Sequence, residues 1–382
     1  MRHRTWVEIS APALQHNVSE LKRTLSPGVR FCGIVKANAY GHGLAEVASL
    51  LKENDVELYG VDSVDEAMTV RAQDPNATIF IMGATIPERL DDVVRSKCIQ
   101  MVASLGELKA IRETARALST PAMITLEIET GLHRLGAEGR ELAAILDELK
   151  FSCGLVYVVS VASHLSSAEE QTLSHITASQ YDVFWKAVNE ITRKGHQPEH
   201  FHIACSAAGI MHELNHGTHV RYGISMYGLW PSIDAKRAGT LGKRHADLKP
   251  VLSWKTSIAQ VKDVRAGDAI GYDATVIVNR PTRIAVLPIG YYDGFDRRGF
   301  SNNSSVIIHG TRCKILGRVC MNMTMVDVST VPGVLSTQTP VTLLGRDGVQ
   351  TIPAEELAEK IGTINYEVVT RINPLLPRII VR

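Results

Sequence analysis

The chain has 382 residues, enough for two domains, each with a sizeable core. Its formal net charge is +1 with no basic run, which argues against nucleic acid as a partner. No segment approaches a membrane span, residues 1–10 lack the apolar stretch of a signal peptide, and the six scattered cysteines read as free thiols of a reducing cytoplasm.

Short apolar, β-rich runs alternate with helical stretches through the first 230 residues. The runs fall at 31–35, 58–61, 78–82, 99–102, 122–128, 155–161, 200–204 and 219–224, with amphipathic segments such as 105–117 and 141–149 between them. About eight such units are what a closed β/α barrel requires. Continuous apolar strands suit a parallel sheet covered by helices. Residues 234–249 are polar and poorly patterned, so they read as a linker. Beyond them come β-rich segments at 251–264, 269–278, 283–288, 305–308, 324–328 and 341–344, and one helix near 353–360. The predicted fold is an N-terminal TIM-like β/α barrel followed by a mainly β C-terminal domain.

The first predicted strand ends in a lysine. Residues 35–43 read Val-Lys-Ala-Asn-Ala-Tyr-Gly-His-Gly, and a helical apolar pattern (Leu44, Val47, Leu50, Leu51) follows. Lys36 therefore sits at the C-terminal tip of a strand, the end of a barrel where chemistry is located. A lysine there can form a Schiff base with an aldehyde cofactor, or it can serve as an ordinary ion-pair partner. The fourteen histidines invite a metal reading. His196, His200 and His202 fall across a loop and a strand start, however, and His212, His216 and His219 are separated by Asn and Gly. Solvated loop histidines are expected, with no metal site.

The 35–43 segment resembles the cofactor-lysine motif of the alanine racemases, which use pyridoxal phosphate (PLP). The resemblance continues in the family's order through 130–136, His164, Ser206, 220–229, 271–275, 317–321 and 363–368. It implies a PLP-binding barrel over 10–233, with 1–9 and 234–382 forming the β domain. It also implies a cytoplasmic homodimer that interconverts L- and D-alanine and supplies D-alanine for peptidoglycan. Lys36 corresponds to the cofactor lysine and the base towards the D-enantiomer. Tyr272, given by the neighbouring subunit, corresponds to the base on the opposite face. A free phenol ionises near pH ~10, so such a base needs positive charge or donors nearby. His164 corresponds to the histidine that contacts this tyrosine. Arg221 corresponds to the arginine facing the pyridine nitrogen, where a guanidinium can only donate and so weakens the electron sink.

By the same resemblance Ser206, Gly223, Ile224, Tyr40 and Tyr366 hold the phosphate through hydroxyls and backbone amides. Arg134 contacts the cofactor's phenolic oxygen and the substrate carboxylate, and the Met321 backbone N–H holds that carboxylate from the second subunit. Tyr366, Tyr291 and Tyr272 crowd the substrate side chain and favour a methyl group. Such pockets reject an added hydroxyl poorly, so serine is an alternative substrate. A fold-related PLP decarboxylase and a barrel-only PLP carrier are further alternatives; Arg221, the Tyr272 segment and the second domain argue against them. Three positions depart from the family pattern. Glu127 stands where a carbamylated lysine is frequent, and is expected to hold Arg134 with a permanent charge. Cys205 and Asn322 stand where asparagine and aspartate are frequent.

Overall fold

The computed structural model describes residues 3–152, 154–212, 216–242 and 244–382. Cys153 lies outside them; Cys32, Cys98, Cys205, Cys313 and Cys320 are free thiols. The chain divides into two compact units. One comprises 13–39 and 47–249; the other comprises 1–12, 40–46 and 250–382.

The first strand, β1 (Thr5–Ser10), belongs to the β-rich unit, and the next eight build the α/β unit. They are β2 (Arg30–Ile34), β3 (Leu58–Val61), β4 (Thr78–Ile81), β5 (Ile99–Val102), β6 (Ala122–Glu127), β7 (Val156–Ala162), β8 (His200–His202) and β9 (His219–Tyr222). They form one parallel sheet in the order β8-β7-β6-β5-β4-β3-β2-β9. The Arg221 N–H donates to the Ala204 carbonyl at 3.0 Å, which draws the two ends of the sheet together into a barrel. All four residues of β3 and of β9 are buried, as expected of strands covered on both faces. The covering helices bury one stripe each. In Leu105–Leu118 this is Leu108, Ile111 and Ala115, behind a capping box made by Ser104 and Glu107. In Gly139–Leu149 it is Leu142, Ile145, Leu146 and Leu149. Each such leucine or isoleucine contributes roughly 1.5–3 kcal/mol.

The β-rich unit continues with β10 (Leu252–Ser257), β11 (Gln260–Val264), β12 (Ala269–Ile270), β13 (Val276–Ile277), β14 (Thr282–Leu287), β15 (Ser305–Ile308), β16 (Thr311–Leu316), β17 (Thr324–Asp327), β18 (Pro340–Asp347), β19 (Gln350–Ile352) and β20 (Arg378–Val381). Its main path is β11-β14-β17-β16-β15-β18-β10-β1-β20, antiparallel except where β1 runs parallel to β20. Register places Val7 opposite Trp254, whose buried ring packs edge-on against Phe295 at 5.8 Å between centroids.

Two sequence expectations change here. Residues 234–249 are not all linker, because a helix spans Ile233–Leu241, capped by the Ser232 hydroxyl accepting from Ala235 N–H. It buries only Ala235 and Gly239, so its apolar period is nearly silent. The helix Asn365–Thr370 follows Ala354–Ile361 and is too short to show a period.

Candidate active site

Lys36 follows β2 after one residue, Val35, and so stands at the C-terminal tip of that strand, in line with its predicted position. The chain then turns the unusual way: Ala37, Asn38, Ala39 and Tyr40 all have φ between 52° and 54°. Left-handed backbone costs residues with a Cβ roughly 1–2 kcal/mol each. The turn is tied down in compensation. Ala39 N–H donates to the Val35 carbonyl at 2.8 Å, and Ala37 N–H donates to Glu66 Oε1 at 2.7 Å. The Lys36 amine lies 3.6 Å from Asp62 Oδ1.

Arg221, on β9, is 6% exposed. Its Nη1 donates to His202 Nδ1 (2.6 Å) and the His202 carbonyl (2.7 Å). Its Nη2 donates to the carbonyls of Ser163 (2.6 Å) and Ile203 (3.2 Å) and to His164 Nδ1 (3.1 Å). A guanidinium only donates, so both imidazoles accept through Nδ1 and carry their proton on Nε2. His202 Nε2–H then donates to Ser160 Oγ at 2.9 Å. Burial lowers the proton affinity of His164 well below the ordinary histidine range, and Arg221, Arg134 and Lys36 reinforce it. His164 is thus a neutral ring offering one N–H. Its carbonyl accepts from Gln180 Nε2, which also donates to Thr130 Oγ1.

The expectation of solvated loop histidines is overturned. His202 is 1% exposed and holds Arg221, and His200, His216 and His219 are buried as well. A three-residue strand and its neighbour gave no apolar period to show it. Among the described residues no group of three or more His, Cys, Asp or Glu is arranged to hold a metal.

Ser206 opens the helix Ser206–Met211, and its Oγ accepts from Gly223 N–H at 3.0 Å, leaving the hydroxyl proton to be given elsewhere. Ile224 begins a single turn, Ile224–Tyr227, whose leading amides have no partner within the turn. Arg134 is exposed on the loop after β6. Glu127, at the end of β6, departs from expectation. Its side chain is 4% exposed with Oε2 unpartnered, and among the described residues no ion pair joins it to Arg134. Burial pushes its carboxyl up to about 7 against the pull of Arg221 and Arg134, so its charge is not permanent at neutral pH. Cys205 caps the Ser206 helix, and burial raises its thiol.

This donor set suits PLP. It offers a reachable amine, the Ser206 hydroxyl and the leading amides of the Ile224 turn for an anion, and an arginine whose Nε is used by none of its hydrogen bonds to described residues. That Nε–H matches an unprotonated ring nitrogen. The Gly223 amide, expected to face the phosphate, is instead engaged by Ser206 Oγ.

The β-rich unit carries the other candidates. The rings of Tyr40 and Tyr366 lie 6.1 Å apart. Gly41 has φ +81° and packs against the Val369 carbonyl, while Arg378 donates to the Gly41 carbonyl at 2.9 Å. Tyr272 stands on a turn after β12 and is 63% exposed. The Arg297 guanidinium lies 5.9 Å from its ring centroid, and the next residue, Asp273, pairs with Arg318 at 2.7 Å. Tyr291 and Met321 are exposed, and Tyr291 N–H and Tyr292 N–H donate to the Cys320 and Met321 carbonyls. Gly290 makes this approach possible, since a Cβ there would overlap both carbonyls. Asn322 is half-buried beside them.

Together, a barrel with an amine at a strand tip and an arginine-bound histidine beside it defines a β/α-barrel enzyme of the PLP type. The family model for the alanine racemase N-terminal domain matches residues 9–231, and that for the C-terminal domain matches 251–380. The alanine racemase of Leptospira interrogans is 37% identical, covering 99% of this chain and 96% of that one. That of Desulfosudis oleivorans is 35% identical over 98% and 96%. The crystal structure of alanine racemase from Bacillus anthracis with bound L-Ala-P has a TM-score of 0.91 at 31% identity, covering 100% of this chain and 96% of that one. The enzyme from a D-cycloserine-producing Streptomyces lavendulae gives 0.91 at 29%, covering 100% and 98%. The chain belongs to the alanine racemase family, whose members depend on PLP.

Proposed function

We propose that this chain interconverts L- and D-alanine with PLP, using Lys36 and Tyr272 as two proton-transfer groups on opposite faces of the substrate. The observation that carries the reading is Lys36 at a strand tip beside a neutral His164 locked to Arg221. Bound PLP supplies an electron sink that acidifies the substrate Cα–H. The chain's own residues do the rest. Lys36 takes or returns the proton on the D side, and Tyr272 does so on the L side. Arg221, with its terminal nitrogens committed, has only Nε–H to give, and it cannot supply a full proton to an acceptor there. His164 offers Nε2–H as a donor that would favour a phenolate. Ser206, Ile224, Tyr40 and Tyr366 are assigned to the phosphate, Arg134 and the Met321 amide to the substrate carboxylate, and Tyr291 to the substrate's surroundings.

We further infer a homodimer in which a second copy covers the exposed Tyr272, Tyr291 and Met321 and shares the site. Among the described residues no helix is long and apolar enough to cross a membrane. A cytoplasmic place, feeding D-alanine to peptidoglycan, completes the reading. The test is purified protein with PLP, following the optical rotation of alanine and serine separately. Borohydride reduction and peptide mapping should then find the pyridoxyl group on Lys36. A label on another lysine, or inert alanine, would overturn the assignment.

A further inference from the structure

Asp62 belongs to no motif of the sequence reading, yet its carboxylate is the acidic group within 4 Å of the Lys36 amine among the described residues. The contact is built by a second carboxylate. Glu66, in the first turn of the helix Val64–Gln73, accepts from Ala37 N–H through Oε1 and from Asp62 N–H through Oε2, both at 2.7 Å. The Ser63 hydroxyl accepts from Glu66 N–H and fixes that turn. One side chain therefore ties the residue after Lys36 to Asp62 itself, across the tips of β2 and β3. Gly83, beyond β4, packs on the Asp62 carbonyl and leaves no room for a side chain there. The other titratable group shown to feel the Lys36 charge is His164, which burial keeps neutral.

We propose that Asp62 is a positioning residue for Lys36, holding the ammonium that the amine becomes during proton transfer. When the amine takes the Cα proton, the C–H bond breaks, an N–H bond forms and the electron pair stays with the substrate. A cation has then appeared beside Asp62, which neither gives nor receives a proton. The attraction lowers the cost of that charge and keeps the N–H aimed back along one direction. A pair this exposed is worth a modest factor, about twofold to fivefold in turnover.

The inference rests on the two-base reading, and the experiment separates the two. L- and D-alanine are equal in energy, so kcat/KM falls equally in both directions whatever is damaged, and isotope effects are needed. In the Asp62→Asn holoenzyme, the effect with α-deuterated D-alanine, whose proton Lys36 removes, should rise. The effect with α-deuterated L-alanine should fall. The pH midpoint of the bound cofactor's visible band should drop by a few tenths of a unit, because a negative charge beside the lysine nitrogen has been removed. Asp62→Glu should restore both. Isotope effects that move together, or an unmoved band, would overturn the role of Asp62. A wild-type protein that takes no PLP onto Lys36 would instead overturn the two-base reading before any variant is compared.

Discussion

Glu127→Gln should stabilise the protein at alkaline pH and leave it nearly unchanged in acid. Burial raises the Glu127 carboxyl from the ordinary 4.5 to about 7 in the folded chain. Below 4.5 both folded and unfolded chains carry the neutral acid, and the side chain imposes no penalty. As pH rises towards 7 the unfolded chain ionises first, which draws the equilibrium away from the fold; above 7 the penalty stays constant. At roughly 1.4 kcal/mol per pH unit, the gap between 4.5 and about 7 comes to about 3 kcal/mol. Glutamine keeps the size and cannot ionise. Urea unfolding in saturating PLP should give the variant an advantage under about 1 kcal/mol at pH 5 and about 3 kcal/mol at pH 8. A difference that does not vary with pH would refute the argument. So would a variant less stable at pH 8, which would mean that an ionised Glu127 holds Arg134 or Arg221.

Tyr272→Phe should cost on the order of 10²–10⁴ in turnover, the worth of one positioned proton-transfer group. Mixing it with Lys36→Ala should restore activity to heterodimers; no recovery after demonstrated subunit exchange would place both groups in the same chain's site. Gly41→Ala should destabilise by on the order of 3 kcal/mol, since the left-handed backbone penalises a Cβ that would also overlap the Val369 carbonyl. A melting temperature equal to wild type would show that this turn can move.

Local grammar made much of the protein legible. A strand, a lysine, a glycine-flanked turn and a helix are neighbours in sequence, so Lys36 could be placed at a strand tip before any fold was known. Arg221 and Ser206 are singled out by the family resemblance of their flanking motifs rather than by local pattern alone. What the sequence alone did not decide depends on groups far apart along the chain. His202 looks like a loop histidine until β7, β8 and β9 bury it against Arg221 and Ser160. Glu127 carries a dependable charge in water but not in an interior where its Oε2 has no partner. The left-handed turn of Ala37–Tyr40 is penalised locally and persists beside a carboxylate that arrives from the helix after β3. That same carboxylate brings Asp62 to Lys36. Residue type and spacing fix which groups a chain can offer, whereas burial and the partners supplied by other strands fix their protonation, direction and strain.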